Sequence, residues 1–264
     1  MTASPAAAPP APPLVALRGV DKLYSNGVLA LQGFDLAVGQ GEFVSLLGPS
    51  GCGKSTALRL IAGLGDLSAG AITWSNRGGT AAGARGEIGF VFQEPTLMPW
   101  ATVSRNIQLP LTLQNVPAAE ARDRVEEAVR QVGLEGFQEA YPRELSGGMR
   151  MRVSIARALI TRPRILLMDE PFASLDEITR IRLNNDLLHL WETHRWTVVF
   201  VTHSVYESVY LSSRISVMSA RPGRVTTDVA IGAPYPRDES YRTSTVYNEY
   251  CRVVSARLAE TLRA

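Results

Sequence analysis

Cysteine is scarce: Cys52 and Cys251 are the only two in 264 residues, too few for a disulfide framework and in keeping with a reducing, cytosolic setting. Net charge is small as well, since 27 Lys and Arg against 25 Asp and Glu leave a formal +2, which gives no electrostatic reason to invoke nucleic acid or anionic lipid. No run of about 18 apolar residues without charges occurs, so no membrane span is expected. Met1 to Pro13 is rich in Ala and Pro but lacks a basic n-region and an apolar h-region, and reads as a flexible, extended tail rather than an export signal. The remaining balance, 45% hydrophobic and 20% charged, is that of a globular chain able to build one large α/β core, with or without an accessory lobe.

The most informative stretch is Gly48-Pro49-Ser50-Gly51-Cys52-Gly53-Lys54-Ser55-Thr56. It follows an apolar run, Phe43 to Leu47, and precedes an apolar helical pattern, Ala57 to Ala62, the order of a buried strand, a glycine-rich turn and a helix start. Such a turn can point its N–H groups inward around the oxygens of a di- or triphosphate. Lys54 can reach between the second and third phosphates, and the Ser55 hydroxyl can complete a Mg2+ shell.

Upstream, Leu14–Leu17, Val28–Leu31 and Phe34–Val38 read as three short strands, and Tyr24 lies in a connection where it can either stack on a purine or sit half-buried at a sheet edge. Downstream, Ala71–Trp74 reads as a strand, Ser75 to Gly86 as an exposed loop, and Ile88–Phe92 as a buried strand delivering Gln93 at its C-terminal end, where open α/β sheets place ligand contacts. Leu97-Met98-Pro99-Trp100 is expected to expose an apolar turn. Val103–Leu113 is apolar but interrupted by Pro110, and Ala118–Val132 is an amphipathic helix suited to a helical lobe inserted in the core. Leu145-Ser146-Gly147-Gly148-Met149 then precedes a basic, helix-compatible segment and offers a hydroxyl and free N–H groups as a second phosphate grip.

Ile165–Asp169 is an apolar strand ending at Asp169-Glu170. Asp169 can hold the Mg2+ hydration shell opposite Ser55, and Glu170 can orient or deprotonate an attacking water. Thr197–Thr202 repeats the pattern and delivers His203, whose imidazole can hydrogen-bond to a terminal phosphate. Ala173-Ser174-Leu175-Asp176 suits a turn between these strands. The C-terminal part reads as a strand near Ile215–Met218, a turn at Arg221-Pro222-Gly223-Arg224, another at Gly232-Ala233-Pro234, and a helical stripe through Tyr247, Cys251, Val254, Leu258 and Leu262.

These elements in this order resemble the nucleotide-binding subunit of ATP-binding-cassette transporters, from about Leu14 to Gly232. Phe92 to Trp100, Asp169-Glu170-Pro171-Phe172 and Met218 to Arg224 are most similar to the ATPases of importers for nitrate, sulfonates and taurine. The resemblance implies a P-loop nucleoside triphosphatase core with an antiparallel β subdomain and an inserted helical subdomain. It divides the chain into a tail (1–13), two core parts (14–94 and 161–232), a helical subdomain (95–160) and a C-terminal helical extension (233–264). It further implies ATP and Mg2+ as cofactors, Tyr24 on adenine, Gly48 to Thr56 around the phosphates, Ser55, Gln93 and Asp169 near the metal, and Glu170, His203 and Gln93 in hydrolysis. Ser146, Gly147 and Gly148 would cover the γ-phosphate held by a second copy, Asp176 would support contact between the two sites, and Met149 stands where glutamine is usual. The implied partners are a second copy, two integral membrane permease subunits and a periplasmic or extracellular solute-binding protein, at the cytoplasmic face of the inner membrane. An exporter, or a soluble cassette acting on nucleic acid or ribosomes, is the alternative, but the long heptad arms or paired cassettes of the latter are not found.

Overall fold

The computed structural model describes residues 12–75 and 87–261. Most of the expected tail, most of the loop expected after Ser75, and Leu262 fall outside these residues.

Two sheets organise the chain. β1 (Val15–Leu23), β2 (Leu29–Val38) and β4 (Ala69–Trp74) form an antiparallel sheet in the order β2-β1-β4. β3 (Phe43–Leu47), β5 (Ile88–Val91), β6 (Ile165–Asp169), β7 (Thr197–Thr202), β8 (Arg214–Met218) and β9 (Val225–Ala230) form a second sheet in the order β5-β6-β7-β3-β8-β9. The first five strands of that order run parallel, and β9 is antiparallel to β8.

The central strands are fully buried runs of Val, Leu, Ile and Phe, as a parallel sheet covered on both faces requires. Their alternation assigns the residues to two cores. Phe43, Leu47, Leu166, Met168, Val198 and Phe200 face one side, with the helices α5 (Glu177–His194), α6 (Val205–Leu211) and α8 (Thr245–Thr261). Val44, Leu46, Ile165, Leu167, Val199 and Val201 face the other, with α1 (Lys54–Ile61) and the antiparallel sheet. A third cluster joins α2 (Val103–Leu113), α3 (Ala118–Gln131) and α4 (Gly147–Leu159) through Ile107, Val125, Val129 and Val153.

Several expectations are corrected. The strands expected at Val28–Leu31 and Phe34–Val38 are one strand, β2, and the strand from Leu14 runs on to Leu23; between them the pairing shifts register near Val20 and Lys22. Gly33, at φ +53, supplies the irregularity that breaks the alternation in sequence. The helix expected from Ala57 already starts at Lys54. Val103–Leu113 is a continuous helix through Pro110. The 97–100 turn is less exposed than expected: Trp100 is 75% exposed, but Leu97 and Met98 are half-buried, because the buried Asn106 amide accepts from Met98 N and donates to Met98 O and Ala101 O.

After β9 the chain crosses to α7 (Glu239–Thr243) and α8, and is fastened there by one buried cation. Arg237 is 4% exposed. Its guanidinium donates to the carbonyls of Val209, Tyr210 and Ser212 at the end of α6 and to those of Ile231 and Ala233, and it stacks 4.0 Å from the centre of the Tyr235 ring. A cation is well placed against the negative end of a helix, and burial pulls its pKa below the ordinary arginine value. Replacing Arg237 with Ala should lower unfolding stability by about 3 kcal/mol, because several buried carbonyls lose their donor at once. Urea denaturation measures this, and a loss under about 0.5 kcal/mol would contradict it.

Candidate functional site

The parallel strands deliver the polar residues to one end of the sheet. β3 ends at Leu47 and runs into the glycine turn. β6 ends at Asp169, β7 at Thr202, and β5 two residues before Gln93. β7 lies between β3 and β6, so His203 emerges between the glycine turn and the two carboxylates.

The turn closes tightly on its neighbours. Gly53 has φ +104, and a Cβ there would lie 2.7 Å from Ala30 O, so both conformation and space demand glycine. No side chain caps the start of α1, and the first-turn N–H groups of an uncapped helix lack intrahelical partners. Lys54, whose side chain is 3% exposed, donates to Gly48 O and Pro49 O at 2.9 Å each and lies 3.5 Å from Glu170 Oε1. Ser55 Oγ donates to Asp169 Oδ1 at 2.7 Å. His203 Nδ1 lies 3.0 Å from Glu170 Oε2, with the ring half exposed.

Glu170 has φ +45, a left-handed conformation uncommon for a side chain of this size. Its N–H donates to Val201 O on the neighbouring strand, and its own carbonyl accepts from Ala173 N. That bend turns its carboxylate toward Lys54 and His203 rather than along β6. Burial raises the Asp169 pKa above the ordinary carboxylate value, and the adjacent Glu170 charge adds to this; the Ser55 hydrogen bond, Arg59 and Lys54 oppose it.

The other expected residues are placed as follows. Tyr24 is partly exposed, with its hydroxyl 3.2 Å from Thr56 Oγ1 and Lys22 Nζ 5.2 Å from its ring centre. Pro49, Ser50 and Gly51 line the open side of the turn, whereas Cys52 is 1% exposed and packs in the core beneath it. Burial raises the Cys52 thiol pKa, against the pull of Lys54. Gln93 is exposed just past β5. Ser146 caps α4 by accepting from Met149 N, and Gly147 and Gly148 pack against Leu175 and Thr179. None of the described hydrogen bonds of Ser146 reaches the 48–56 turn. Asp176 caps α5 through Thr179 N, which holds its carboxyl pKa below the usual range.

Four residues that brace the site, Arg221, Gly223, Arg157 and Asn106, are not marked as braces by the sequence, which reads 221–224 only as a turn. Arg221 donates to Gly51 O at 3.1 Å, and Gly223 abuts Cys52 O so closely that a Cβ would lie 2.0 Å from it; the 221–224 turn therefore supports the glycine turn from below. Arg157 donates to Pro95 O and Thr96 O, fixing the segment after Gln93 to α4. Asn106 holds the 98–102 turn. A polar residue on an apolar helical stripe is the one hint that marks Asn106 beforehand.

The residues present fit a nucleotide with Mg2+. Among the described residues no group of three or more His, Cys, Asp and Glu could hold a metal alone. Ser55 and Asp169 offer only part of a shell, and that is how Mg2+ shared with phosphates is bound. The uncapped helix start and Lys54 supply the complementary anion site.

A phosphate-gripping turn between strand and helix, with carboxylates at the neighbouring strand ends, defines a P-loop ATPase fold with an antiparallel β subdomain and helical insertions. The chain belongs to the ABC transporter family, whose model matches residues 31–173. It is 48% identical over 234 residues to an uncharacterised ABC transporter ATP-binding protein of Methanocaldococcus jannaschii, covering 89% of this chain and 86% of that one. It is 44% identical to the aliphatic sulfonates import ATP-binding protein of Bacillus subtilis, covering 80% of each. Among solved structures it resembles a dimeric ATP-binding cassette in a post-hydrolysis state bound to ADP and Pi (TM-score 0.73, 35% identity, covering 83% of this chain and all of that one). It also resembles cbiO1 of Clostridium perfringens, part of an ABC transporter complex (TM-score 0.77, 26% identity, covering 93% of this chain and all of that one).

Because folding raises the Asp169 pKa, its ionised form is disfavoured in the free protein. That penalty is present at neutral pH and fades as pH falls toward 4. The isosteric Asp169→Asn, which can still accept from Ser55, should therefore melt higher than the wild type without nucleotide at pH 7.5, by a margin that shrinks on acidification. Thermal melts at pH 7.5 and pH 4.5 check this, and a variant that melts lower at pH 7.5 would refute it.

Proposed function

We propose that the chain is the ATP-hydrolysing subunit of a membrane importer for a small solute of the sulfonate, taurine or nitrate class. The observation that carries the reading is the convergence of Lys54, Glu170 and His203 in one run of contacts beside the Ser55–Asp169 pair. In this reading Gly48 to Thr56 wrap the phosphates and Tyr24 stacks on the adenine. Ser55, Asp169 and Gln93 would hold Mg2+, which would supply charge neutralisation for the phosphates. Lys54 leaves the carbonyls of Gly48 and Pro49 for phosphate oxygens, and releases Glu170 to accept a proton from water. His203 then holds the terminal phosphate and, through Nδ1, orients Glu170.

Two copies act together. The exposed Ser146, at an α4 N-terminus whose described bonds stay within its own chain segment, fits a phosphate carried by a second copy. Gly147 and Gly148, which carry no side chain, would let a phosphate approach the start of α4 closely, and Asp176 would support contact between the two sites. The solved relatives described as dimeric support this arrangement.

Among the described residues no helix is long and apolar enough to cross a membrane. Coupling to permease subunits therefore uses a surface. A groove beside Gln93, lined by Phe92, Leu109, Pro110 and Leu113 with Arg157 at its side, is apolar and open enough to take a short helix of such a partner. A periplasmic or extracellular binding protein would supply the solute, and the relatives named for aliphatic sulfonate import support that solute class.

Glu170→Gln should lower ATP turnover by about 100-fold or more while leaving ATP-dependent dimerisation intact. Phosphate release and size-exclusion chromatography with ATP check both halves. Turnover within twofold of the wild type would remove Glu170 from the chemistry.

A further inference from the structure

Glu207 is a buried carboxylate with no part in the chemistry described above. It lies four residues beyond His203, in the first turn of α6, and is 8% exposed. One oxygen accepts from Thr202 Oγ1 at 2.5 Å, and the same hydroxyl accepts from Ser204 N at 3.0 Å. The two residues flanking His203 are thus tied to one carboxylate. The other oxygen lies 3.8 Å from Arg180 Nε. Arg180 stands near the start of α5, and its Nη2 donates to Leu175 O at 3.0 Å, inside the Ser174-Leu175-Asp176 turn.

These contacts close a ring. From Glu170 it passes to His203 at 3.0 Å, along the backbone to Thr202, to Glu207, to Arg180, to Leu175, and back along the 170–175 turn, where Ala173 N donates to Glu170 O and Leu175 N to Phe172 O. The pair joins a buried carboxylate to a partly exposed guanidinium and is an ion pair rather than a hydrogen bond, so it is a weak source of stability, since desolvation of Glu207 offsets much of the attraction. Burial also raises the Glu207 pKa, against the pull of Thr202, Arg180, His203 and Asn184. Such a pair is better suited to fixing geometry than to adding stability. It adds a side-chain tie, beside the direct Glu170 N–Val201 O bond, between the segments that carry Glu170 and His203.

We propose that Glu207, through Thr202 on one side and Arg180 on the other, is a positioning residue that locks the His203 segment to the 174–176 turn so that the two move as one unit during ATP turnover. This rests on the reading that Glu170 and His203 act in hydrolysis. Removing either partner should leave nucleotide binding intact, because neither touches the 48–56 turn, but should let Glu170 and His203 separate.

The test is a double-mutant cycle on the full chain: Glu207→Gln, Arg180→Ala and the pair together, with Arg180→Lys as the conservative variant and His203→Ala as the reference. ATP turnover, KM and the affinity for a non-hydrolysable ATP analogue are measured, with thermal melts to establish folding. Each single variant should lose about tenfold in kcat with KM and analogue affinity within about twofold, and the double variant should be no worse than the worse single, since both act through one contact. Arg180→Lys, which keeps the charge, should recover part of the loss. If Glu207→Gln fails to fold, the partly exposed Arg180 carries the test through its two variants. Singles within twofold of wild type, or losses that multiply in the double variant, would overturn the lock while a large His203→Ala loss leaves the hydrolytic site standing. A fully active His203→Ala would overturn both.

Discussion

Lys54 carries a positive charge into a place where water barely reaches it, and the arrangement of the site follows from how that charge is satisfied. The carbonyls of Gly48 and Pro49 accept from it, and Glu170 stands 3.5 Å away. A buried ammonium needs such partners, and of the three only Glu170 carries a charge. In the proposed function, phosphate oxygens at the uncapped start of α1 would take the place of these partners. The exchange of one set of partners for the other would free Glu170.

The fold's part is to make that exchange local. The glycine turn is held from below by Arg221 and Gly223, and from the side by Ala30 and Leu31. The segment after Gln93 is held by Arg157, and the 98–102 turn by Asn106. His203 and the 174–176 turn share a support in Glu207 and Arg180. Loops carry the candidate site residues, while polar side chains fasten each loop to a packed helix or strand, the division expected of sites built on a rigid scaffold.

Much of this was legible in the sequence because the central strands are unambiguous. Phe43–Leu47 runs into the glycine turn, while Ile165–Asp169 and Thr197–Thr202 are short apolar runs that end in polar residues, and a parallel sheet brings such ends together. The antiparallel sheet was harder to read, because Gly33 and the register shifts near Val20 break the alternation that would have shown β2 as one strand. β9 was not legible either: its Val-Thr-Thr-Asp-Val-Ala sequence is half polar, and only pairing with β8 makes it a strand. The helix through Pro110 forms because tertiary packing of Ile107 and Leu111 outweighs the one backbone bond that proline removes. Arg157, Arg221 and Arg237 were illegible for another reason. A guanidinium that donates to carbonyls far away in sequence leaves no local pattern, and only the folded chain shows what it holds.

In the proposed function one chain carries two halves of different sites: the lysine-centred half around Gly48 to Thr56, and the half at the start of α4, where Ser146 is exposed and Gly148 is buried against Thr179. Specific ATPase activity measured across a wide range of protein concentration tests it most directly. Turnover per chain should rise steeply at low concentration and level off once pairs predominate. Turnover per chain that stays constant down to concentrations where the protein is demonstrably monomeric would contradict it.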